Sequence, residues 1–275
     1  MNIFITGATG QLGTYVIDYL KCFAPQAQLF GLARSTQAAQ KLAKKGVIAR
    51  RGDYAEPASL VTALTGMDRL LFISVPQSEL QANVVAAAHQ AHVGFIAYTS
   101  INGIAYPKVG LEQNHRQTEA LITATGIPHT FLRNSWYLEM ETNPFKAALA
   151  TGVYDTLSQG KVSYATRQEY AEAAARVIAN PQFGAVVELG RDAFTHRELA
   201  HALATATEQP LSVQQVDAAT YQAWLAPYTA TNFETAMQAY VQHGDNGEAA
   251  VTQTTFETVL GHPLNSLTDA IRTIL

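Results

Sequence analysis

Three glycines at positions 7, 10 and 13 stand in the segment Thr6-Gly7-Ala8-Thr9-Gly10-Gln11-Leu12-Gly13, with the spacing G-x-x-G-x-x-G. That spacing suits a phosphate cradle. The first glycine permits a tight turn, the second removes a Cβ where a pyrophosphate must approach, and the third lets a helix pack close to a strand. A glycine triplet alone says little; here the flanks give it context. The apolar run NIFIT at 2–6 has the character of a buried strand, and residues 11–23 that of a helix. A helix starting at Gln11 aims free N–H groups and the positive end of its dipole at bound phosphates. Thr6, Gly7, Thr9, Gly10, Gln11, Leu12 and Gly13 are therefore the expected contacts of a dinucleotide.

The end of the second strand bears on which dinucleotide. NAD sites usually carry an acid about 20 residues after the glycines, for the ribose 2′-hydroxyl. Here residues 31–36 run Gly-Leu-Ala-Arg-Ser-Thr, with Arg34 and no acid. A guanidinium suits a 2′-phosphate, so NADP(H) is expected over NAD; the competing reading is a solvated charge at a strand end. After the third strand come Asp53 and Tyr54. The Asp53 carboxylate could accept from an adenine amino group, or cap the helix opening at Glu56-Pro57. Ser74, Val75 and Pro76 close the fourth strand and Thr99 the fifth. Ligands of open α/β sheets lie outside the carboxyl ends of the strands, so these positions should line the same cleft.

The elements that must position these groups alternate. Strands are expected at 2–6, 29–33, 47–50, 70–74, 95–99 and 129–132, with helices at 11–23, 36–45, 57–65, 80–91 and 111–125 between them. Alternation at this length implies right-handed βαβ units and a parallel, doubly wound Rossmann sheet covered on both faces. The pattern loosens after Asn134. Helices are expected at 144–150, 168–178, 196–205 and 218–225, with short strands at 186–189 and 212–216 and a mostly helical tail. The reading is a dinucleotide-binding domain over 1–134 and a smaller, interwoven α/β substrate domain over 135–275, residues 185–190 being able to return to the main sheet.

Composition narrows the function. The 275 residues are 48% hydrophobic and 15% charged, enough apolar material for a large core. Eighteen basic against 22 acidic side chains give a net charge of −4 with no basic run, which argues against a nucleic-acid partner. A single cysteine, Cys22, expected to be buried and inert in the first helix, fits a reducing, cytoplasmic setting. No leader and no membrane span are expected, and the eight histidines show no metal-ligand spacing, so no metal is expected. An oligomer is compatible with all of this.

With these residues in hand the chain resembles the NmrA-like, atypical branch of the short-chain dehydrogenase/reductases, and within it a group of quinone and triphenylmethane reductases. The carrying segments are ITGATGQLG at 5–13, Ala33-Arg34, GDY at 52–54, LLFIS at 70–74, FIAYTS at 95–100, FLRNSWY at 131–137 and GHP at 261–263. The resemblance implies NADPH as cofactor, a small C-terminal substrate domain, and reduction of quinones or similar flat aromatic electrophiles. A non-catalytic NADP(H) sensor of the NmrA type is the alternative.

One departure bears on the chemistry. The wider superfamily carries Tyr-x-x-x-Lys on the helix after the fifth strand, where this chain has Leu111-Glu112-Gln113-Asn114-His115. Four residues after Tyr98 and Tyr106 come Asn102 and Gly110, so no such pair exists here. Loss of this proton donor disfavours carbonyl–alcohol chemistry but leaves quinone reduction open, because the reduced product is aromatic and its oxyanion weakly basic. His115, Tyr106 (in a loop with Pro107 and Lys108 that could act as a lid) and Ser100 are the candidate catalytic side chains. His115 could instead pair with Glu119 one turn on. Asn134, Trp136 and Tyr137 are the candidate substrate contacts; the two rings could equally be packing residues.

Overall fold

The protein is described by a computed structural model covering residues 1–244, Gly247 and residues 250–275, the side chain of Phe233 excepted. It divides into two compact units: Met1–Asn134 with Arg167–Leu189 and Thr255–Gly261, and Ser135–Thr166 with Gly190–Thr254 and His262–Leu275.

The first unit is built on seven strands: β1 (Asn2–Ile5), β2 (Gln28–Ala33), β3 (Ile48–Arg51), β4 (Arg69–Phe72), β5 (Phe95–Ile101), β6 (His129–Asn134) and β7 (Val186–Leu189). They form one sheet in the order β7-β6-β5-β4-β1-β2-β3. Every neighbouring pair is parallel. The order reverses between β1 and β4, which creates the switch-point crevice where doubly wound sheets bind ligands. All seven residues of β5 are buried, as a strand covered on both faces requires. Five strands end elsewhere than expected: β1 stops at Ile5 and β4 at Phe72, short of 6 and 74. β3 runs one residue later than 47–50 and so carries Arg51, and β5 and β6 each extend two residues beyond their expected ends.

Between the strands lie α1 (Gln11–Phe23), α2 (Thr36–Lys44), α3 (Pro57–Leu64), α4 (Ser78–Gln90) and α5 (Leu111–Ala124); α6 (Arg167–Ala179) follows β6. Leu12, Val16, Ile17 and Leu20 make the buried face of α1. Cys22 falls off that face and is exposed, contrary to the expectation that it is buried. Against α1 packs α6, whose buried Ala171, Ala173, Ala174 and Ala175 allow a close approach. This contact explains why 167–189 belongs with the sheet unit rather than with the remainder of 135–275.

Within the second unit, strand pairs are short. Trp136–Tyr137 runs parallel to Tyr164–Ala165, Val153–Thr156 parallel to Ser212–Gln215, and Lys161–Val162 antiparallel to Phe194–Thr195. Its helices are Thr142–Thr151, His196–Thr207, Ala218–Leu225, Asn232–His243 and Leu267–Ile274. The second of these starts at a capping box in which Thr195 and Glu198 satisfy each other's backbone N–H groups. No helix among the described residues is long and apolar enough to cross a membrane.

Candidate functional site

The glycine loop leaves β1 and turns through Gly7, whose φ of +60° is a left-handed conformation that favours glycine. The Gly10 N–H donates to the Gly7 carbonyl at 2.9 Å, closing the turn. A Cβ at Gly13 would sit 2.4 Å from that carbonyl oxygen and 2.8 Å from the Ala8 Cα. The third glycine is thus a packing requirement, as the spacing suggests. Gly10 is the N-cap of α1, with no side-chain cap and no acid in the first turn. The first helical N–H groups therefore have no intrahelical acceptor and face outward as donors. Leu12 is 7% exposed, so its side chain serves the core and only its backbone faces this site. Thr6 works from beneath: its Oγ1 accepts from the Ile73 N–H at 2.9 Å and pins the loop to the end of β4.

Gly7, Thr9, Gly10, Arg34, Tyr54, Val75 and Pro76, all expected at the cofactor, line one cavity of about 560 Å³, joined by Ser35, Gln77 and Leu80. Gln77 and Leu80 are not among the contacts expected from the sequence, and α4 starts at Ser78 rather than at 80. Burial pushes the Tyr54 phenol up, opposed by hydrogen bonding with Thr6, the Arg34 charge and the Gly7 backbone. Asp53 neither caps α3 nor lines this cavity. Its Oδ1 accepts from the Ala55 N–H at 2.9 Å, an Asx turn that orients Tyr54, while Glu56 takes the N-cap position. Ser74 and Thr99 hold each other: the Ser74 N–H donates to Thr99 Oγ1 at 2.9 Å, tying the segment that leaves β4 to β5. The Asn114 Nδ2 donates to the carbonyls of Val75 (3.1 Å) and Pro76 (2.8 Å), anchoring the cavity wall to α5.

This arrangement fits a dinucleotide. It has a tight loop where a Cβ at Gly10 would stand 3.2 Å from the Gly7 carbonyl oxygen, an uncapped helix start, and an arginine where a ribose acid would otherwise stand. A second cavity of about 460 Å³ adjoins it, lined by Arg34, Ser35, Thr36 and Arg51 among others. Arg51 escapes a reading that ends the third strand at Arg50.

The three candidate catalytic side chains do not converge. The Ser100 Oγ donates to Glu119 Oε1 at 2.6 Å. Arg133 grips the same carboxylate through Nε (2.9 Å) and Nη2 (2.7 Å), which is why the Glu119 pairing considered for His115 does not form. His115 turns instead to Tyr98, with Nδ1 2.8 Å from the phenol oxygen; that hydroxyl lies 2.9 Å from Gln81 Oε1. Burial pushes the His115 imidazole down to about 4, against the opposing charge of Glu119, so it is neutral at pH 7. Burial likewise pushes the Tyr98 phenol well up. Tyr106 stands 48% exposed in the loop between β5 and α5. Two buried amide oxygens, Oδ1 of Asn102 and of Asn134, have no partner among the described residues. Both lie at the carboxyl ends of β5 and β6, where an N–H or O–H of a ligand would satisfy them. In the second unit Trp136 is 7% exposed and packs edge-on against Tyr240 at 6.3 Å, whereas Tyr137 is half-buried. Among the described residues, no group of three or more His, Cys, Asp or Glu could hold a metal ion.

Comparison with known proteins agrees with this geometry. Quinone oxidoreductase 2 of Escherichia coli (strain K12) is 37% identical over 277 residues, which cover 98% of this chain and 97% of that one. The crystal structure of the E. coli NADPH-dependent quinone oxidoreductase complexed with NADPH superposes with a TM-score of 0.88 at 36% identity, covering 99% of each chain. The triphenylmethane reductase of Citrobacter sp., complexed with NADP(H), gives a TM-score of 0.88 at 32% identity over 99% of this chain and 100% of that one. Residues 1–261 match the NmrA-like family, and the chain belongs to it.

Proposed function

We propose that the chain is an NADPH-dependent reductase that passes hydride to quinones or similar flat aromatic acceptors. The observation that carries this reading is the glycine-loop cavity, with its uncapped helix start and Arg34 in place of an acid. The activities named for its relatives, a quinone oxidoreductase and a triphenylmethane reductase, support the choice of acceptor. NADPH, when bound, supplies the hydride. The chain's own residues hold the dinucleotide: the helix start and loop N–H groups face the pyrophosphate, Arg34 faces the 2′-phosphate, and Val75 and Pro76 bound the groove. Trp136 and Tyr137 are proposed to hold the acceptor ring.

Proton delivery needs no dedicated side chain. His115 is neutral and tied to Tyr98, and Tyr98 resists ionisation. A quinone tolerates this, because its reduced oxyanion is weakly basic and water suffices as donor. We place the reaction in the cytoplasm, where the exposed thiol of Cys22 stays reduced. The test follows loss of NADPH absorbance with a panel of benzoquinones. Turnover is expected. Tight NADPH binding without turnover on any acceptor overturns the enzyme reading in favour of an NADP(H) sensor.

A further inference from the structure

Arg50 and Arg51 are consecutive but differently employed. The Arg50 Nη1 donates to the carbonyls of Ala63 (3.1 Å) and Thr65 (2.8 Å), and its guanidinium lies 4.8 Å above the Phe30 ring. It is committed to holding α3 against the sheet. Arg51 points to the other face, as alternation along a strand demands, and is exposed. There it lines the 460 Å³ cavity together with Arg34, Ser35 and Thr36. Arg51 pairs in register with Ala33, the residue before Arg34, so the two arginines rise from neighbouring strand ends into one hollow. Neither guanidinium has a hydrogen-bond or ion-pair partner among the described residues. No acid lines the hollow.

Two unpaired like charges at one cavity repel each other, and a bridging anion of more than one charge removes that cost. The remaining wall suits the same anion. Ser35 caps α2 by accepting from the Ala38 N–H at 3.2 Å, which leaves its hydroxyl proton free to donate outward. Arg34 and Ser35 line this hollow and the dinucleotide groove alike. An anion seated in the hollow would therefore lie beside whatever occupies the groove.

We propose that Arg34 and Arg51 together seat the 2′-phosphate of the adenine ribose, and that Arg51 is a specificity-determining residue for NADPH over NADH. This rests on the reading of the groove as an NADP(H) site. The experiment measures dissociation constants for NADPH, NADH, 2′,5′-ADP and 5′-ADP with the parent chain, Arg51→Gln, Arg51→Lys and Arg34→Gln. The parent binds the two 2′-phosphorylated ligands more tightly than their counterparts. Arg51→Gln weakens NADPH and 2′,5′-ADP by about ten- to a hundredfold, the loss of one charge-assisted contact, and leaves NADH and 5′-ADP within about twofold. Arg51→Lys recovers part of the loss, because it restores charge but not the planar fork. If the parent does not distinguish NADPH from NADH, the NADP(H) reading fails and the proposal with it. If the parent distinguishes them and Arg51→Gln does so equally well while Arg34→Gln does not, the groove is read correctly and the role of Arg51 is overturned.

Discussion

Among the carboxylates each unit buries, Glu119 of the sheet unit and Glu141 of the second unit are held by opposite means. In the sheet unit, Glu119 is gripped by two nitrogens of Arg133 and by Ser100, and Arg133 also reaches Glu188 at 2.9 Å, which in turn accepts from Asn102 at 2.6 Å. In the second unit, Glu141 is fully buried and accepts from the phenols of Tyr154 (2.6 Å) and Tyr164 (2.7 Å), with His196 Nε2 at 3.7 Å. One acid has a guanidinium, which its partners hold charged ever more firmly. The other has two tyrosine hydroxyls and an imidazole. Burial pushes the Glu141 carboxyl up, but His196 and the two tyrosine hydroxyls outweigh it and hold the group below the usual carboxylate range. The difference teaches where the protein responds to acid. A carboxylate held through hydrogen bonds to its ionised form is a stabilising element only while it remains ionised.

The sharpest way to break this comparison is to remove the guanidinium. Arg133→Met leaves Glu119, with a side chain 10% exposed, facing Glu188 without a cation between them. Loss of one partner of a buried pair costs about 3–5 kcal/mol. Chemical denaturation should show this as a fall in midpoint with an unchanged slope; a loss below about 1 kcal/mol would mean that the cluster is solvated.

Acid comes next. Glu141 is depressed in the folded state, so its contribution is complete above the unfolded value of about 4.5 and is lost as pH falls through the folded value. Stability followed from pH 7 to 3 should therefore fall in the parent more steeply than in Glu141→Gln, although the variant is the weaker protein at pH 7. Identical profiles would move the acid-sensitive group elsewhere.

Single phenols test the same site more gently. Tyr154→Phe and Tyr164→Phe each remove a hydrogen bond to a charged group, worth about 1.5–3 kcal/mol. Tyr164→Phe should also bring the Glu141 carboxyl back toward the ordinary range, readable as a shift of the acid transition to higher pH. The smallest effect is expected at Glu188, whose side chain is 38% exposed. Glu188→Gln should cost about 0–1 kcal/mol, because Arg133 keeps Glu119. A cost as large as that of Arg133→Met would show that Glu188, not Glu119, is the essential acid.

These two sites also mark what a sequence can disclose. The glycine loop was legible because its chemistry is local: strand, turn, phosphate donors and helix fall within residues 2–23. Arg34 was legible for the same reason, standing at the end of one strand. Arg51 is hidden because the expected third strand stops one residue short of it, at Arg50. Cys22 was misplaced because helical burial depends on which face meets the sheet, and composition is silent on that. The Glu141 cluster was not legible at all. Its members, Glu141, Tyr154, Tyr164 and His196, come from four separate elements of irregular spacing, brought together only by the tertiary fold. The same holds for His115, whose partner is Tyr98 across the strand–helix interface rather than a neighbour on its own helix.

The position of β7 in the chain has a bearing on synthesis. β6 ends at Asn134, and the strand that completes the sheet beside it begins at Val186, with part of the second unit threaded between them. A nascent chain emerges from its N-terminus, so β6 leaves the ribosome well before its outer partner exists. During that interval its backbone is an unpaired sheet edge, open to pairing with other nascent chains. Arg133 lies on that strand and already holds Glu119 from the preceding helix, while its second carboxylate, Glu188, arrives only with β7. When β7 arrives, Glu188 takes the remaining Nη1 of an arginine already seated on Glu119, so one side chain fastens the last strand to the helix that precedes β6.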